Sequence, residues 1–329
     1  MTRPVGAVVG SLVVAIALAA GVEIPAAAQG PWTPPRTPWG DPDLQGSFTN
    51  KSEQGTPFER PSEFEGRRLE DINGAELAEI LQKRQQRVID TARPPGSDDE
   101  PHAPVHWSDR FEVTKGGQAW LVLDPPDGKI PPMTPAGRQR TAAVAAANAA
   151  ARRGPADSWV ERGLYERCIT RGLPGSMMPA IYGNSYQIVQ GPGYVAIGYE
   201  MIHETRVIPL DGAPHAHRTI RGYMGDARGH WEGDTLVVET TNFRDESTYR
   251  NANASTLRLV ERFTRVGPTR VQWAVTVDDP ETWTRVWTFT MPLTMSDDEP
   301  VFEYACHEGN YGLFNILRGA RAEERAAPR

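Results

Sequence analysis

The sequence predicts a mainly β fold, either an antiparallel β-barrel or a barrel-like sandwich. From about residue 160 onward, short segments of alternating apolar and polar residues recur, and turn signals such as Gly191-Pro192-Gly193 and Gly267-Pro268 separate them. Because no helix is predicted between these segments, neighbouring strands are expected to pair antiparallel. A proline-rich N-terminal arm and two peripheral helices complete the predicted architecture.

The composition favours an exported, turn-rich globular protein. Of 329 residues, 31 are glycine and 29 are proline, a content that excludes a coiled coil. Nine Trp, nine Tyr and nine Phe supply a core that a disordered chain lacks. The formal net charge of -7 argues against a nucleic-acid partner, and the two cysteines exclude a disulfide-dense mini-protein.

Residues 1–28 are predicted to be a signal peptide. Arg3 precedes an uncharged apolar stretch at residues 5–22, and Ala26-Ala27-Ala28 forms a small-residue cleavage site. An uncleaved membrane anchor is the alternative, because the stretch is about long enough to span a bilayer. Cleavage predicts a periplasmic or secreted protein without a membrane attachment.

The mature chain is expected to contain an arm with one helix at residues 29–115 and a β-rich barrel domain at residues 116–329. Apolar residues at helical spacing predict a helix over 74–90. Thr134-Pro135 predicts the start of an alanine-rich helix that continues to about residue 153. The predicted strands are 118–123, 185–190, 193–209, 218–223, 235–241, 256–266, 270–278, 282–291 and 301–306.

Cys168 and Cys306 are the only cysteines, and an exported protein meets an oxidising environment. We therefore predict a disulfide between them. Two alternatives remain open, namely two free thiols or one catalytic thiolate beside His307.

Alternate residues of a strand share one face, and this parity places several polar side chains on apolar faces. Glu261 alternates with Leu259 and Phe263, and Arg285 alternates with the tryptophans of the 282–291 segment. A buried charge must be paired or must line a wet cavity, because an unpaired one is costly. The same parity directs further residues inward, which are Tyr199, His203, Glu239, Trp273, Trp287, Glu303 and His307.

Two interpretations follow from these inward polar groups. In the first, a pocket brings together four catalytic residues, His203, Glu261, Arg285 and His307, as acid, base and anion stabiliser. Its binding residues are Tyr199, Glu239, Trp273, Trp287 and Glu303. In the second interpretation, Glu261 and Arg285 form a buried salt bridge that has a structural role alone.

A metal centre is a further alternative, with zinc or iron bound by histidines. The candidate ligands are His203, His215, His217 and His307. No His-Glu-x-x-His motif is present. We therefore expect a site without a cofactor.

Three segments resemble an uncharacterised family of exported bacterial proteins. They are ERCITRGLPGSMMP (166–179), GDARGHWEGDTLVVETTNF (225–243) and EYACHEGNYGLFNIL (303–317), and family members also carry a stretch like WGDPDLQG (39–46). The resemblance implies export and one continuous domain, and it transfers no catalytic residue. The WEGDTLVV hairpin is similar in style to small-ligand barrels of the lipocalin type, a likeness of fold alone.

The sequence supports three functional hypotheses. The first is a cofactor-independent lyase, isomerase or hydrolase that acts on a small, partly apolar molecule, with or without a carboxylate. The second is a periplasmic small-ligand binding protein without turnover, in which Arg285 pairs with the ligand carboxylate. The third is a structural or interaction protein.

Overall fold

The computed structural model describes residues 32–91, 113–151, 156–180, 184–296 and 300–326. The chain divides into two compact units, Met1–Thr33 and Pro34–Arg329. The predicted signal peptide lies outside the described residues, so the fold is that of the second unit. Within the described part of the chain, no helix has the length and apolar character needed to cross a membrane.

Ten strands form one antiparallel sheet, which confirms the mainly β prediction. Nine of the strands follow one another in the order β5-β4-β3-β1-β10-β9-β8-β7-β6, and β2 pairs with β10. The hydrogen-bonded ladder does not close, because β5 and β6 remain its two ends. The strands are β1 (Gly46–Thr49), β2 (Val122–Asp124), β3 (Ser185–Gly191), β4 (Tyr194–Tyr199), β5 (Thr205–Pro209), β6 (Asp226–Glu232), β7 (Thr235–Thr241), β8 (Arg258–Gly267), β9 (Arg270–Asp278) and β10 (Trp287–Met295).

The two ends of the sheet meet through side chains instead of backbone hydrogen bonds. A Cβ atom at Gly229 of β6 would lie 2.8 Å from Cγ2 of Ile208 in β5 and 2.6 Å from Cδ2 of Leu210. Only a glycine leaves room for these side chains, since real Cβ atoms do not come so close to carbon. The sheet therefore curves enough to bring β5 beside β6.

The core lies on the inner face of this curved sheet. Alternate residues of β8, β9 and β10 are fully buried, as the parity argument predicts for these segments. Each large apolar side chain buried there contributes about 1.5–3 kcal/mol. The largest of the buried aromatic side chains are Trp273, Trp283, Trp287, Tyr186, Tyr199, Phe48, Phe243, Phe263 and Phe289.

In the described part of the chain, three helices accompany the sheet, α1 (Gly74–Thr91), α2 (Pro135–Ala151) and α3 (Tyr311–Ala326). The first two were predicted. Thr134 caps α2 as expected, because its Oγ1 accepts a hydrogen bond from the Gly137 amide at 3.0 Å. The prediction of only two helices was wrong, since α3 contains Gly312 and Gly319, which weaken the helical signal in the sequence.

The prediction of one strand over 193–209 was wrong. β4 ends at Tyr199, a 3-10 turn at Met201–His203 follows, and β5 returns antiparallel to β4. Ile202 and His203 have positive φ angles of 66° and 44°. The turn shifts the alternation by one residue, so that Arg206 faces the core.

Two other predicted strands, 218–223 and 301–306, are absent from the described structure, apart from an isolated bridge between Gly222 and Phe243. β6, by contrast, forms in a segment rich in glycine and charge. Its sequence DARGHWE lacks the apolar alternation that announces a strand. Pairing with β7 along the whole length of β6 compensates for this weak local preference.

Candidate functional site

Glu261 is buried, as the sequence predicts, but its partner is Arg206. The Arg206 Nη2 atom lies 3.1 Å from Glu261 Oε1, and Nη1 donates a second hydrogen bond to Oε2. The Trp273 indole also donates to Glu261 Oε1, at 3.1 Å. The side chains of Arg206 and Glu261 are 3% and 0% exposed. The pair crosses the interior of the curved sheet, because Arg206 is in β5 and Glu261 is in β8.

The surroundings of this pair favour the charged form of Arg206 and close both side chains off from solvent. Burial alone would lower the pKa of Arg206, but the negative charge of Glu261, its hydrogen bonds with Arg206 and the neighbouring Tyr199 together outweigh burial and raise that pKa above the ordinary value. Burial raises the pKa of the neighbouring Tyr199, and the positive charge of Arg206 opposes the rise. Neither Arg206 nor Glu261 lines any of four cavities found in the structure. The arrangement therefore favours a structural ion pair that links strands in the core over a pair that forms part of a pocket.

The prediction that Arg285 faces inward was wrong. β10 begins only at Trp287, and Thr284, Arg285 and Val286 precede the ladder and are exposed. The Arg285 side chain is 55% exposed, and its Nη2 lies 3.8 Å from Asp124 Oδ1. A surface pair of this kind contributes little to stability.

The structure does not bring the four proposed catalytic residues into one hollow. His203 is exposed in the turn after β4, and its Nδ1 lies 2.8 Å from the backbone oxygen of Tyr304. Glu303 and His307 are exposed in a segment without strand structure, so the expected inward parity does not apply to them. Of the proposed binding residues, Tyr199, Trp273 and Trp287 are buried in the core.

Glu239 lies on the outer face of the sheet, contrary to the expectation. Its Oε1 is 3.3 Å from His215 Nε2 and its Oε2 is 2.5 Å from Arg258 Nη2. On the other side of the imidazole, His215 Nδ1 is 2.8 Å from Asp226 Oδ2.

The structure does not support the alternative of a metal centre. Of the candidate ligands, His217 interacts with Thr219. No group of three or more His, Cys, Asp or Glu in the described ranges is arranged to hold a metal ion, so no zinc or iron site is derived.

The predicted disulfide is confirmed. Cys168 and Cys306 are bonded, with their Cα atoms 5.7 Å apart. Asn310 reinforces the link, because its Nδ2 donates to the backbone oxygen of Glu166 at 2.8 Å. The bond therefore fixes the loop around residue 168 to the segment that precedes α3.

A cleft of about 520 Å³, open to solvent, lies beside this disulfide-fixed loop. We call it the Arg171 cleft. The loop around residues 164–180 supplies most of its wall, and Met201 and residues 246–248 supply the rest. Its apolar lining consists of Leu164, Tyr165, Met178, Ala180 and Met201.

Two described lining residues of this cleft carry a charge. Glu246 is paired with Arg244, whose Nε lies 2.8 Å from Glu246 Oε1, and the other is Arg171. Its Nη1 atom is buried without a hydrogen-bond partner, and its guanidinium lies 5.7 Å from the centre of the Tyr165 ring. Within the described part of the chain, Arg171 forms no ion pair. A buried donor left unsatisfied costs about 1–3 kcal/mol. The wall of the cleft therefore contains a guanidinium group whose charge no carboxylate of the described residues pairs with.

A second titratable group, Glu204, is hydrogen-bonded to a residue that lines the cleft. Thr170 lines the cleft, and its Oγ1 lies 2.6 Å from Glu204 Oε2. Burial raises the pKa of Glu204, while the hydrogen bond from Thr170 and the charge of Arg206 oppose the rise. Glu204 therefore takes up a proton at a higher pH than an exposed glutamate does.

The local sequence explains why this loop holds its shape. Gly172 has a φ of 65°, and a Cβ at this position would lie 2.8 Å from the backbone oxygen of Ser247. The Gly172 amide donates to Thr170 Oγ1 at 2.9 Å, which closes a tight turn around Arg171. Sequence reasoning missed Arg171 because strand parity does not apply to loops. The available signal was an arginine between Thr and Gly within the 166–179 segment.

Comparison of the chain with protein-family models, with curated proteins and with solved structures finds no match.

Proposed function

We propose that the Arg171 cleft binds a small, partly apolar molecule that carries a carboxylate. The observation that carries this proposal is the guanidinium of Arg171, which lines a cleft of about 520 Å³, forms no ion pair within the described residues and keeps a buried Nη1 without a hydrogen-bond partner. A guanidinium recognises a carboxylate through two parallel hydrogen bonds, and this geometry is specific. Arg171 thus takes the role that the sequence assigned to Arg285.

The walls of the cleft define the rest of the ligand. Thioether and aromatic groups from Tyr165, Met178 and Met201 supply an adaptable apolar surface. Small-molecule sites of this size combine such walls with a few polar groups that fix the orientation of the ligand. A flat or aromatic monocarboxylate satisfies both parts of the site.

We place this binding outside the cytoplasm. The disulfide between Cys168 and Cys306 supports an oxidising compartment, and the predicted cleavage after residue 28 is consistent with export. The protein would then act in the periplasm or in the medium.

Calorimetric titration with phenylacetate tests the proposal, with phenylacetamide as the uncharged analogue. We expect phenylacetate to bind the wild-type protein and Arg171→Ala to weaken its binding by at least about tenfold. Arg167→Ala is the matched control, because Arg167 also stacks on an aromatic ring, that of Trp159 at 4.7 Å, and does not line the cleft. Equal binding by wild type and Arg171→Ala, or equal binding of the amide, would contradict the proposal.

A lyase, isomerase or hydrolase is the second candidate function, and Glu204 favours it. Burial raises the pKa of the Glu204 carboxyl group, as is common for acid/base groups in active sites, and Thr170 connects this group to the cleft. Prolonged incubation with a panel of apolar carboxylates, followed by NMR of the small molecules, tests this function. Turnover by the wild type that is lost in Glu204→Gln supports it. Unchanged substrates leave binding alone as the function.

A further inference from the structure

A second cavity, of about 560 Å³, has a lining chemistry different from that of the Arg171 cleft. Three arginines line it, Arg218, Arg221 and Arg258, and we call it the three-arginine cavity. None of its described lining residues is acidic, although the whole chain has a formal net charge of -7. Three guanidinium groups in a lining without a carboxylate point to an anionic ligand.

Neighbouring groups outside the cavity hold two of the arginines in place. Arg221 Nη1 lies 3.2 Å from Asp245 Oδ1, and its Nη2 lies 3.1 Å from Ser255 Oγ. Arg258 Nη2 pairs with Glu239 Oε2 at 2.5 Å. Side chains ordered in advance lose less conformational entropy when a ligand binds.

Arg218 supplies the charge that remains unneutralised. Across the part of the chain that the structure describes, Arg218 forms no ion pair. The backbone oxygen of Arg218 accepts a hydrogen bond from Arg221 Nε at 3.3 Å, which fixes the two residues relative to each other. The cavity therefore combines two oriented guanidinium groups with one free guanidinium group.

The neutral lining consists mainly of hydrogen-bonding side chains. Hydroxyl and amide groups come from Thr219, Thr241, Asn242, Ser255 and Thr256. Such groups can donate to and accept from the hydroxyl groups of a ligand. A cavity of about 560 Å³ also exceeds what a single inorganic anion fills.

We propose that the three-arginine cavity binds an acidic saccharide, a small polyhydroxylated molecule with a carboxylate or sulfate group. The arginines would pair with the acidic group, and the hydroxyl and amide side chains would bind the sugar hydroxyls. The proposal is independent of the Arg171 cleft, which shares no lining residue with this cavity and contains one arginine instead of three.

NMR titration of the wild-type protein tests the proposal with four probes: D-glucuronate, glucose 6-sulfate, glucose and inorganic sulfate. We expect at least one of the two acidic sugars to bind at millimolar concentration or below, and the stronger of them shows which acidic group the cavity prefers. Glucose and inorganic sulfate should each bind at least about tenfold more weakly than that sugar. Arg218→Ala should weaken the binding of that sugar by at least about tenfold.

Arg262→Ala is the matched control for Arg218→Ala. Arg262 lies on β8, as Arg258 does, and its side chain is 42% exposed. Its Nη2 lies 2.7 Å from Glu232 Oε2, and neither residue lines the cavity. Its removal should leave the affinity for the sugar unchanged. Arg171→Ala should also leave it unchanged, so a failure of the Arg171 proposal stays distinguishable from a failure of this one.

Three results would overturn the proposal. They are no saturable binding of either acidic sugar, inorganic sulfate binding as tightly as the sugars, and an Arg218→Ala variant with wild-type affinity. Arg218 is exposed, so its variant should keep the wild-type circular dichroism spectrum and unfolding midpoint. A variant that loses the fold is replaced by Arg218→Gln, and the same three results then apply.

Discussion

Arg206 and Glu261 form a buried ion pair that joins β5, at one end of the sheet, to β8 across its interior, with Arg206 Nη2 and Glu261 Oε1 3.1 Å apart. The ladder between β5 and β6 is open, so this pair and the side chains near Gly229 hold the free end of the sheet in place. The ion pair thus substitutes in part for the backbone hydrogen bonds that a closed barrel would have.

Removing one partner of this pair should destabilise the protein strongly. We expect Glu261→Ala to lower the free energy of unfolding by about 3–5 kcal/mol, because it leaves the Arg206 charge buried and unpaired. The double variant Arg206→Met with Glu261→Leu should recover most of that loss. Urea unfolding of the three proteins measures both effects, and a single variant as stable as the wild type would contradict the assignment.

Gly229 should be needed for the contact between the two ends of the sheet. We expect Gly229→Ala to lower the free energy of unfolding by about 1–3 kcal/mol, because its Cβ overlaps Ile208 and Leu210. Gly198→Ala in β4 is the control, since a Cβ there meets its nearest atom at an ordinary 3.7 Å. Thermal unfolding compares the two variants, and equal stabilities would show that β5 and β6 do not pack as described.

The disulfide should support both the fold and the Arg171 cleft. The bond joins residues 138 positions apart. In the chain-entropy model, a disulfide that closes a loop of this length raises the free energy of unfolding by about 4–5 kcal/mol. We expect the double variant Cys168→Ser with Cys306→Ser to lose stability of this order in urea unfolding. Phenylacetate should also bind it more weakly, because Arg171 is three residues from the bond, and undiminished affinity in the folded variant would contradict this link.

Glu204 should make the stability depend on pH in a defined direction. Burial raises its folded-state pKa above the ordinary 4.5, so the folded protein holds this proton more tightly than the unfolded chain. Its contribution to stability is therefore complete below pH 4.5 and is lost as the pH rises through the folded-state pKa. The free energy of unfolding of the wild type minus that of Glu204→Gln, measured by urea unfolding across this pH range, should fall as the pH rises. A constant or rising difference would contradict the buried position of Glu204.

Strand parity predicted much of the fold and half of the central ion pair. It placed Glu261 and Trp273 in the core, because long strands such as β8 and β9 alternate without interruption. It missed Arg206 and misassigned Arg285, because parity holds only inside a ladder. The turn at Met201–His203 shifts the register, and residues 284–286 precede β10.

The Arg171 cleft could not be predicted in the same way. A loop has no repeating geometry, and the position of Arg171 depends on the bond to Cys306 and on the close approach of Gly172 to Ser247. Both contacts join segments far apart in the sequence. The cysteine pair was visible in the sequence, but the cavity beside it was not.

A crystal structure of the wild-type protein with phenylacetate tests the central proposal most directly. We expect the carboxylate in the Arg171 cleft, with one oxygen about 2.7–2.9 Å from a guanidinium nitrogen of Arg171 and the ring against Met178 and Met201. Phenylacetate bound elsewhere, or an Arg171 side chain paired with a protein carboxylate while the cleft is empty, would contradict it.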